Sequence, residues 1–451
     1  MSESVHGMWS SRIMFILAAA GSAVGLGNIW RFPYVAGENG GGAFVLAYLV
    51  CIFMIGVPIM IAEILLGRAG RQSPINTMQV LSVRSGGSRG WQLIGWMGAL
   101  AGFMILSFYA VIAGWAVAYL VEMASGSFVR ADADYANAAF GALTGDVWAV
   151  VGWHTAFMLA TTIIAARGVG KGLEATVKYL MPTLFVLLIV LLIWAALTSG
   201  HFQQGMAFLF SFKTEDFTGD SILMAMGQAF FTLSLGMGAI MAYGAYLPKG
   251  ASIVNSAVTI AILDTVVALF SGMVIFPIVF ANGLESSAGP GLMFITLPLA
   301  FGQMAGGQLF GSVFFLLVTF AAITSAISLV EPAIAWLVEK IEVSRVMAAS
   351  LVGGLAWLTG LGSAFSFNIW ADIELLPGKS FFDTMDFVSN NIILPVGGVL
   401  IALFAGWVLD RQIVDEETEG LSPLLRSALV FLIRFVAPVA VAIVFVMSFV
   451  H

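Results

Sequence analysis

Two short segments of this chain place glycines and polar side chains where unbroken apolar helix would otherwise run. Residues 21–28 read Gly21-Ser22-Ala23-Val24-Gly25-Leu26-Gly27-Asn28, and residues 231–238 read Phe231-Thr232-Leu233-Ser234-Leu235-Gly236-Met237-Gly238. Each glycine weakens a helix by up to about 1 kcal/mol relative to alanine, so these clusters predict backbone that leaves the helix. Backbone freed in this way offers carbonyls and amides, joined here by the side chains of Asn28, Thr232 and Ser234. Close helix packing is the other use of a single Gly-x-x-x-Gly, and the polar groups beside the glycines favour a site. Asp264 lies in a long apolar run. A carboxylate in hydrocarbon is costly, so it is either functional or a protonated, hydrogen-bonded structural group. Thr324 and Ser325 are weak indicators alone, since hydroxyls in membrane helices usually bond backbone. Catalytic constellations are missing from the sequence: the four histidines (His6, His154, His201, His451) lie far apart, and no Gly-x-Ser-x-Gly or phosphate loop occurs.

The elements that must position these groups follow from composition. Of 451 residues, 60% are apolar and 10% charged, too apolar for a soluble domain of this size. Runs of about 20 apolar residues, the length that crosses a bilayer, fall near 13–36, 43–66, 91–123, 147–166, 173–198, 221–246, 251–282, 308–337, 346–364, 388–409 and 424–450. The expected class is therefore an all-α membrane protein with eleven transmembrane helices. With the N-terminus inside, fourteen of the 18 Lys and Arg fall in inner loops and span ends. Only Arg31, Arg130, Lys213 and Lys379 fall outside, and the positive-inside rule then predicts a cytoplasmic N-terminus and places His451 outside. The acidic stretch Asp415, Glu416, Glu417 and Glu419 reads as a solvated inner turn. A lone Cys51 forms no internal disulfide, and no glycosylation sequon occurs. The Gly/Asn/Arg/Pro cluster that ends the first run suits a site better than a signal-peptide cleavage motif.

The two interrupted spans are the first and the sixth. Interrupted segments at corresponding positions of two halves point to an inverted-repeat transporter with a midplane site. The expectation is a single domain over 1–451: a first repeat over 12–198, a second over 219–409, and an accessory helix over 423–451.

The segment Gly-Ser-Ala-Val-Gly-Leu-Gly-Asn-Ile-Trp-Arg-Phe-Pro-Tyr, residues 21–34, followed by Glu38-Asn39-Gly40-Gly41-Gly42-Ala43-Phe44, resembles the neurotransmitter:sodium symporter family, and its bacterial amino-acid transporters most of all. The likeness recurs at Phe231–Gly238 and at Ala321-Ala322-Ile323-Thr324-Ser325, and it covers roughly nine tenths of the chain. Against the family's usual twelve spans, eleven are expected here, without the last. The resemblance implies two sodium ions. At the first ion, the carbonyls of Ala23 and Thr232, the Asn28 side-chain oxygen and the Thr232 hydroxyl would join Asp264 and the substrate carboxylate. Relatives usually carry Asn where Asp264 stands. At the second, carbonyls of Gly21, Val24 and Ala321 would join the hydroxyls of Thr324 and Ser325. Sodium is a hard cation that prefers oxygen ligands, and unwound carbonyls supply them. Chloride-dependent relatives hold an anion near the positions of Tyr48 and Gln228. Asp264 would already bring that charge, so no chloride requirement is expected.

By the same matching, the amides of Leu26 and Gly27 and the hydroxyl of Tyr109 would bind the substrate carboxylate. Carbonyls of Ala23, Phe231, Thr232 and Ser234 would receive its ammonium. Ile105, Phe231, Met237 and Leu329 would surround the side chain, with Ser325 at the edge, a wall suited to aliphatic and aromatic amino acids. Arg31 and Asp386 match the family's water-bridged outer gate, with Phe231 below it. On the inner side Trp9 and Tyr246 keep their expected types. There His6 replaces an arginine opposite Glu339, a weaker or pH-sensitive latch because histidine titrates near neutrality. Gly172 and Pro182 suggest that the fifth span either unwinds toward the second sodium site or carries a packing kink. The implied function is sodium-driven uptake of hydrophobic L-amino acids by alternating access across the cell inner membrane. No enzymatic activity, nucleic acid or obligate protein partner is expected. A channel would need a continuous polar pore, and a sensor on the same scaffold is the main rival.

Overall fold

The computed structural model describes residues 5–284 and 291–449, so His451, placed outside by the positive-inside rule, lies outside the described residues. Among the described residues, eleven apolar helices, two of them broken, form the body. They are α1 (Arg12–Ala23 and Gly27–Glu38), α2 (Gly42–Gly70), α3 (Arg89–Ser125), α4 (Val147–Ala166), α5 (Val169–Thr198), α6 (Gly219–Thr232 and Ala239–Ala245), α7 (Ile253–Ala281), α8 (Gly307–Ile341), α9 (Arg345–Phe365), α10 (Phe381–Val408) and α11 (Pro423–Met447). Among the described residues, nine of them are individually long and apolar enough to cross a membrane; the halves of α1 reach that length only together, and those of α6 are short. Local chemistry sets many of the starts. Ser11, Asp146, Ser252, Ser344 and Ser422 each accept an amide of the following first turn, and Thr218 and Ser221 form a capping box ahead of α6. Such caps satisfy amides that have no partner inside the helix, and the helices satisfy the rest of the backbone internally, as an apolar surrounding demands.

The packing has a repeat of five. α3 and α8 run along each other at the centre, and α4 packs on α9. α1 packs on α7 as α6 packs on α2, and α3 meets α10 as α8 meets α5. Five is odd, so successive crossings oppose each helix to its counterpart five places on, which is the inverted 5+5 arrangement. Both breaks fall where expected. In the first, Val24 leaves the helix with ψ 108° and the two halves of α1 meet at 62°. In the second, residues 233–238 turn through positive φ at Ser234, Gly236 and Gly238. At Gly236 a Cβ would lie 2.7 Å from the Leu394 carbonyl oxygen, so φ of +81° and close approach both call for glycine.

α5 departs from the unwinding reading. It continues as helix across Pro182, and Gly172 sits in a π turn (Val169–Glu174) at its start. A Cβ there would meet the Ile164 carbonyl at 2.2 Å, so in this structure Gly172 serves close packing on α4. Connecting helices over Pro74–Arg84, Ala133–Gly145 and Phe202–Phe210, which the apolar runs do not announce, close the ends of the bundle.

Candidate functional site

The two breaks face each other across one small cavity of about 50 Å³. All eleven residues expected around a substrate line it: Ala23, Leu26, Gly27, Ile105, Tyr109, Phe231, Thr232, Ser234, Met237, Ser325 and Leu329, together with Ser22, Gly25 and Asn28. No charged side chain is among them. The wall combines the freed backbone of α1 and α6 with apolar side chains from α3 and α8. Glycine is required for this closeness, since a Cβ on Gly25 would sit 3.0 Å from Ser325 Oγ and 3.2 Å from the Tyr109 hydroxyl. That hydroxyl is buried beside Ser325 and the Leu26 backbone and makes no well-aligned hydrogen bond among the described residues. Poorly satisfied buried donors are costly, and a ligand carboxylate would satisfy this one. Across the cavity Ser234 donates to the Ser22 carbonyl at 2.9 Å, and the Ser22 and Ser328 hydroxyls lie 2.7 Å apart.

Beside this cavity α1, α6 and α7 bring together the side chains expected at the first ion. Asn28 Nδ2 donates to Asp264 Oδ1 at 2.7 Å and to Thr232 Oγ1 at 2.8 Å, and the Thr232 hydroxyl donates to Asp264 Oδ2 at 2.9 Å. Asn28 Oδ1 accepts the Gly25 amide at 3.0 Å. The amide thus turns its nitrogen, not its oxygen, toward Asp264, and a cation among these groups calls for the opposite amide orientation. The Tyr48 hydroxyl lies 3.5 Å from Asp264 Oδ2, and Gln228 Nε2 is buried without a partner. The second expected set also converges. Ser325 donates to the carbonyls of Val24 (3.0 Å) and Gly21 (3.2 Å), and Thr324 donates to that of Ala321 (3.0 Å). A Cβ on Gly21 would lie 3.0 Å from both Thr324 Cβ and Met181 Sδ, so α1, α5 and α8 meet tightly here. Among the described residues no cluster of His, Cys, Asp and Glu is arranged for a transition metal; the donors gathered here are neutral oxygens and one carboxylate.

The two ends of the cavity differ. Arg31 and Asp386 make no direct ion pair; Arg31 lies over the Phe231 ring at 5.1 Å, and Asp386 accepts Asn390 Nδ2 at 2.7 Å. At the other end the contacts are dense. Trp9 is buried, its backbone amide donates to the Tyr246 carbonyl and its indole to that of Tyr243, both at 3.0 Å. His6 Nε2 lies 2.9 Å from Glu339, which also accepts the Ser73 amide and Asn76 Nδ2. Tyr246 does not reach Glu339. Its hydroxyl donates to Glu331 at 2.7 Å, and Arg345 makes a two-pronged pair with the same carboxylate at 3.0 and 2.6 Å. Glu331 and Arg345 were not singled out from the sequence; an acid followed by Pro332 inside a long apolar run was the available signal. Glu63 was missed on the same ground. It is fully buried on α2 and accepts the Gly236 amide at 2.7 Å, bracing the break of α6.

A bundle of apolar helices whose first and sixth members break around a polar midplane cavity defines a membrane transporter. The profile of the family described as "Sodium:neurotransmitter symporter family" matches residues 6–136 and 143–451, and the chain belongs to that family. It is 39% identical over 448 residues to a sodium-dependent transporter of Bacillus subtilis, covering 99% of this chain and 98% of the relative. It is 33% identical to a sodium-dependent transporter of Haemophilus influenzae, covering 97% of each. Among solved structures it superposes on MhsT in complex with L-phenylalanine with a TM-score of 0.89 at 42% identity, covering 98% of this chain and 99% of that one. The chain is accordingly a sodium-dependent transporter and not an enzyme.

Proposed function

We propose that the protein couples sodium entry to uptake of hydrophobic L-amino acids, aliphatic and aromatic, without a chloride requirement. The observation that carries this reading is the cavity itself. It is lined by free backbone, four aliphatic hydroxyls (Ser22, Thr232, Ser234 and Ser325), the buried Tyr109 hydroxyl, the Asn28 amide and apolar side chains, with no charged side chain. Such a wall suits the two charges of an amino-acid backbone and rejects a third on its side chain. The amides at Leu26 and Gly27 begin the second half of α1, where unpaired N–H groups favour a carboxylate. Carbonyls of Ala23, Phe231, Thr232 and Ser234 take the ammonium, and Ile105, Phe231, Met237 and Leu329 hold the side chain. Met237 is flexible and polarizable and adapts to leucine-like and aromatic guests alike. MhsT, the solved relative, is complexed with L-phenylalanine.

Two sodium ions are assigned, one to Ala23, Asn28, Thr232 and Asp264, the other to Gly21, Val24, Ala321, Thr324 and Ser325. Each set draws from both a broken helix and an unbroken one, so occupancy would order the breaks before substrate seats. The repeats are assigned to 12–198 and 219–409, with the N-terminus cytoplasmic in the inner membrane. In the present arrangement the Trp9 end is latched and Arg31 is free of Asp386, as fits a site reached from the outer side. Displacement of labelled leucine from purified protein tests the substrate class. Unlabelled leucine and tryptophan should compete, glutamate and lysine should not, and sodium gluconate should support binding as well as sodium chloride. Competition by glutamate or lysine would remove the hydrophobic assignment, and binding lost in gluconate would remove chloride independence.

A further inference from the structure

A second cavity, of about 420 Å³, opens between α2, α10 and α11. It lies at the Trp9 end of the bundle, where Arg68 of α2 pairs with Glu417 and donates to the Ala251 carbonyl. Its floor is apolar, with Leu65, Phe431 and Phe435, and three arginines face it against a single acid, Asp415. Arg426 pairs with Asp415 at 3.0 Å. Arg411 and Arg434 remain uncompensated, an excess of two positive charges.

Arg434 is the informative member. It stands 11 residues beyond Pro423, about 16 Å along α11 at 1.5 Å per residue. Helical side chains lean toward the helix N-terminus, so it reaches back toward Arg426 and Arg411. Its Nε donates to the Gly406 carbonyl and its guanidinium lies 5.4 Å from the Trp407 ring centre. The approach depends on Gly406, where a Cβ would meet Arg434 Cγ at 2.8 Å. Its two terminal nitrogens have no hydrogen-bond partner among the described residues. An arginine at that depth without a counter-charge is expensive, and basic pockets between helices near a membrane face recognise anionic headgroups. A free anion would answer the guanidinium groups and leave the apolar floor in water.

We propose that this groove binds an anionic glycerophospholipid, its phosphate held by Arg434, Arg426 and Arg411 and an acyl chain lying over Leu65, Phe431 and Phe435. Leu65 is two residues from Glu63, so the lipid would rest on the helix that braces the α6 break.

Native mass spectrometry of the full chain, equilibrated with equal amounts of phosphatidylglycerol and phosphatidylcholine, tests this. The wild type should retain phosphatidylglycerol in preference. Arg411→Glu reverses an exposed charge that has no protein partner, and at about fivefold per unit charge it should weaken retention about 30-fold. Arg426→Gln should weaken it in the same direction, and excess inorganic phosphate should leave it unchanged. Sodium-dependent leucine binding retained by Arg411→Glu certifies that the variant is folded. Equal retention of the two lipids, equal retention by wild type and both variants, or displacement by inorganic phosphate would each overturn the proposal.

Discussion

Asp264 accepts Asn28, Thr232 and, at longer reach, Tyr48, and it faces the region where Gln228 keeps an unpartnered amide nitrogen. A carboxylate so placed supplies, on our reading, the negative charge that an anion supplies elsewhere. Asp264→Asn removes that charge while preserving shape. The variant should lose uptake in sodium gluconate and regain part of it in sodium chloride; uptake indifferent to chloride would refute the role. Asn28→Ala and Thr324→Ala each remove one neutral oxygen from an ion set. Each should raise the sodium concentration needed for half-maximal leucine binding by about tenfold, for a hydrogen-bond-sized loss to a charged partner of about 1.5 kcal/mol. Unchanged sodium dependence in both would overturn the two assignments. Met237→Phe adds bulk to a close-packed wall, where overpacking costs about 1–3 kcal/mol. Tryptophan should lose affinity more than leucine, as read by displacement.

Among the elements, α6 carries the most concentrated demands. Gly236 holds positive φ against the Leu394 carbonyl while its amide is taken by Glu63. Gly236→Ala therefore meets both strain and a steric clash and should lower the thermal unfolding midpoint and abolish leucine binding together. The latch is the other demanding region. Arg345→Ala would leave Glu331 buried and unpaired, a loss of about 3–5 kcal/mol for such pairs. Replacing Glu331 by Gln in the same chain should recover much of it, and unfolding midpoints of the two variants measure the difference. Both breaks were legible in the sequence because glycines clustered with polar groups inside apolar runs. The brace and the latch were not. Glu63 and Glu331 are single acids in long apolar stretches, and what they do depends on amides and hydroxyls brought to them from other helices. The amide orientation of Asn28 was equally illegible, since it follows from the Gly25 amide and Asp264 competing for opposite ends of one side chain. Gly172 and Pro182 were legible as irregular, yet packing against Ile164 decided the form of the irregularity.

Over the whole molecule, on the proposed reading, the repeat of five would relate opening at one face to closing at the other by one exchange of halves. Dense contacts around Trp9, His6 and Glu331 hold one face shut, while Arg31 lies over Phe231 at the other. If sodium and substrate share the breaks, their affinities must be coupled reciprocally. Sodium should tighten leucine by the same factor that leucine tightens sodium. The measurement that tests the central claim most directly is uptake of labelled leucine and tryptophan into proteoliposomes, with sodium chloride, sodium gluconate or potassium chloride outside. Accumulation above the external concentration in both sodium salts, and none in potassium, is the predicted result. Saturable sodium-dependent binding without accumulation would contradict it and would make the protein a sensor built on a transporter scaffold.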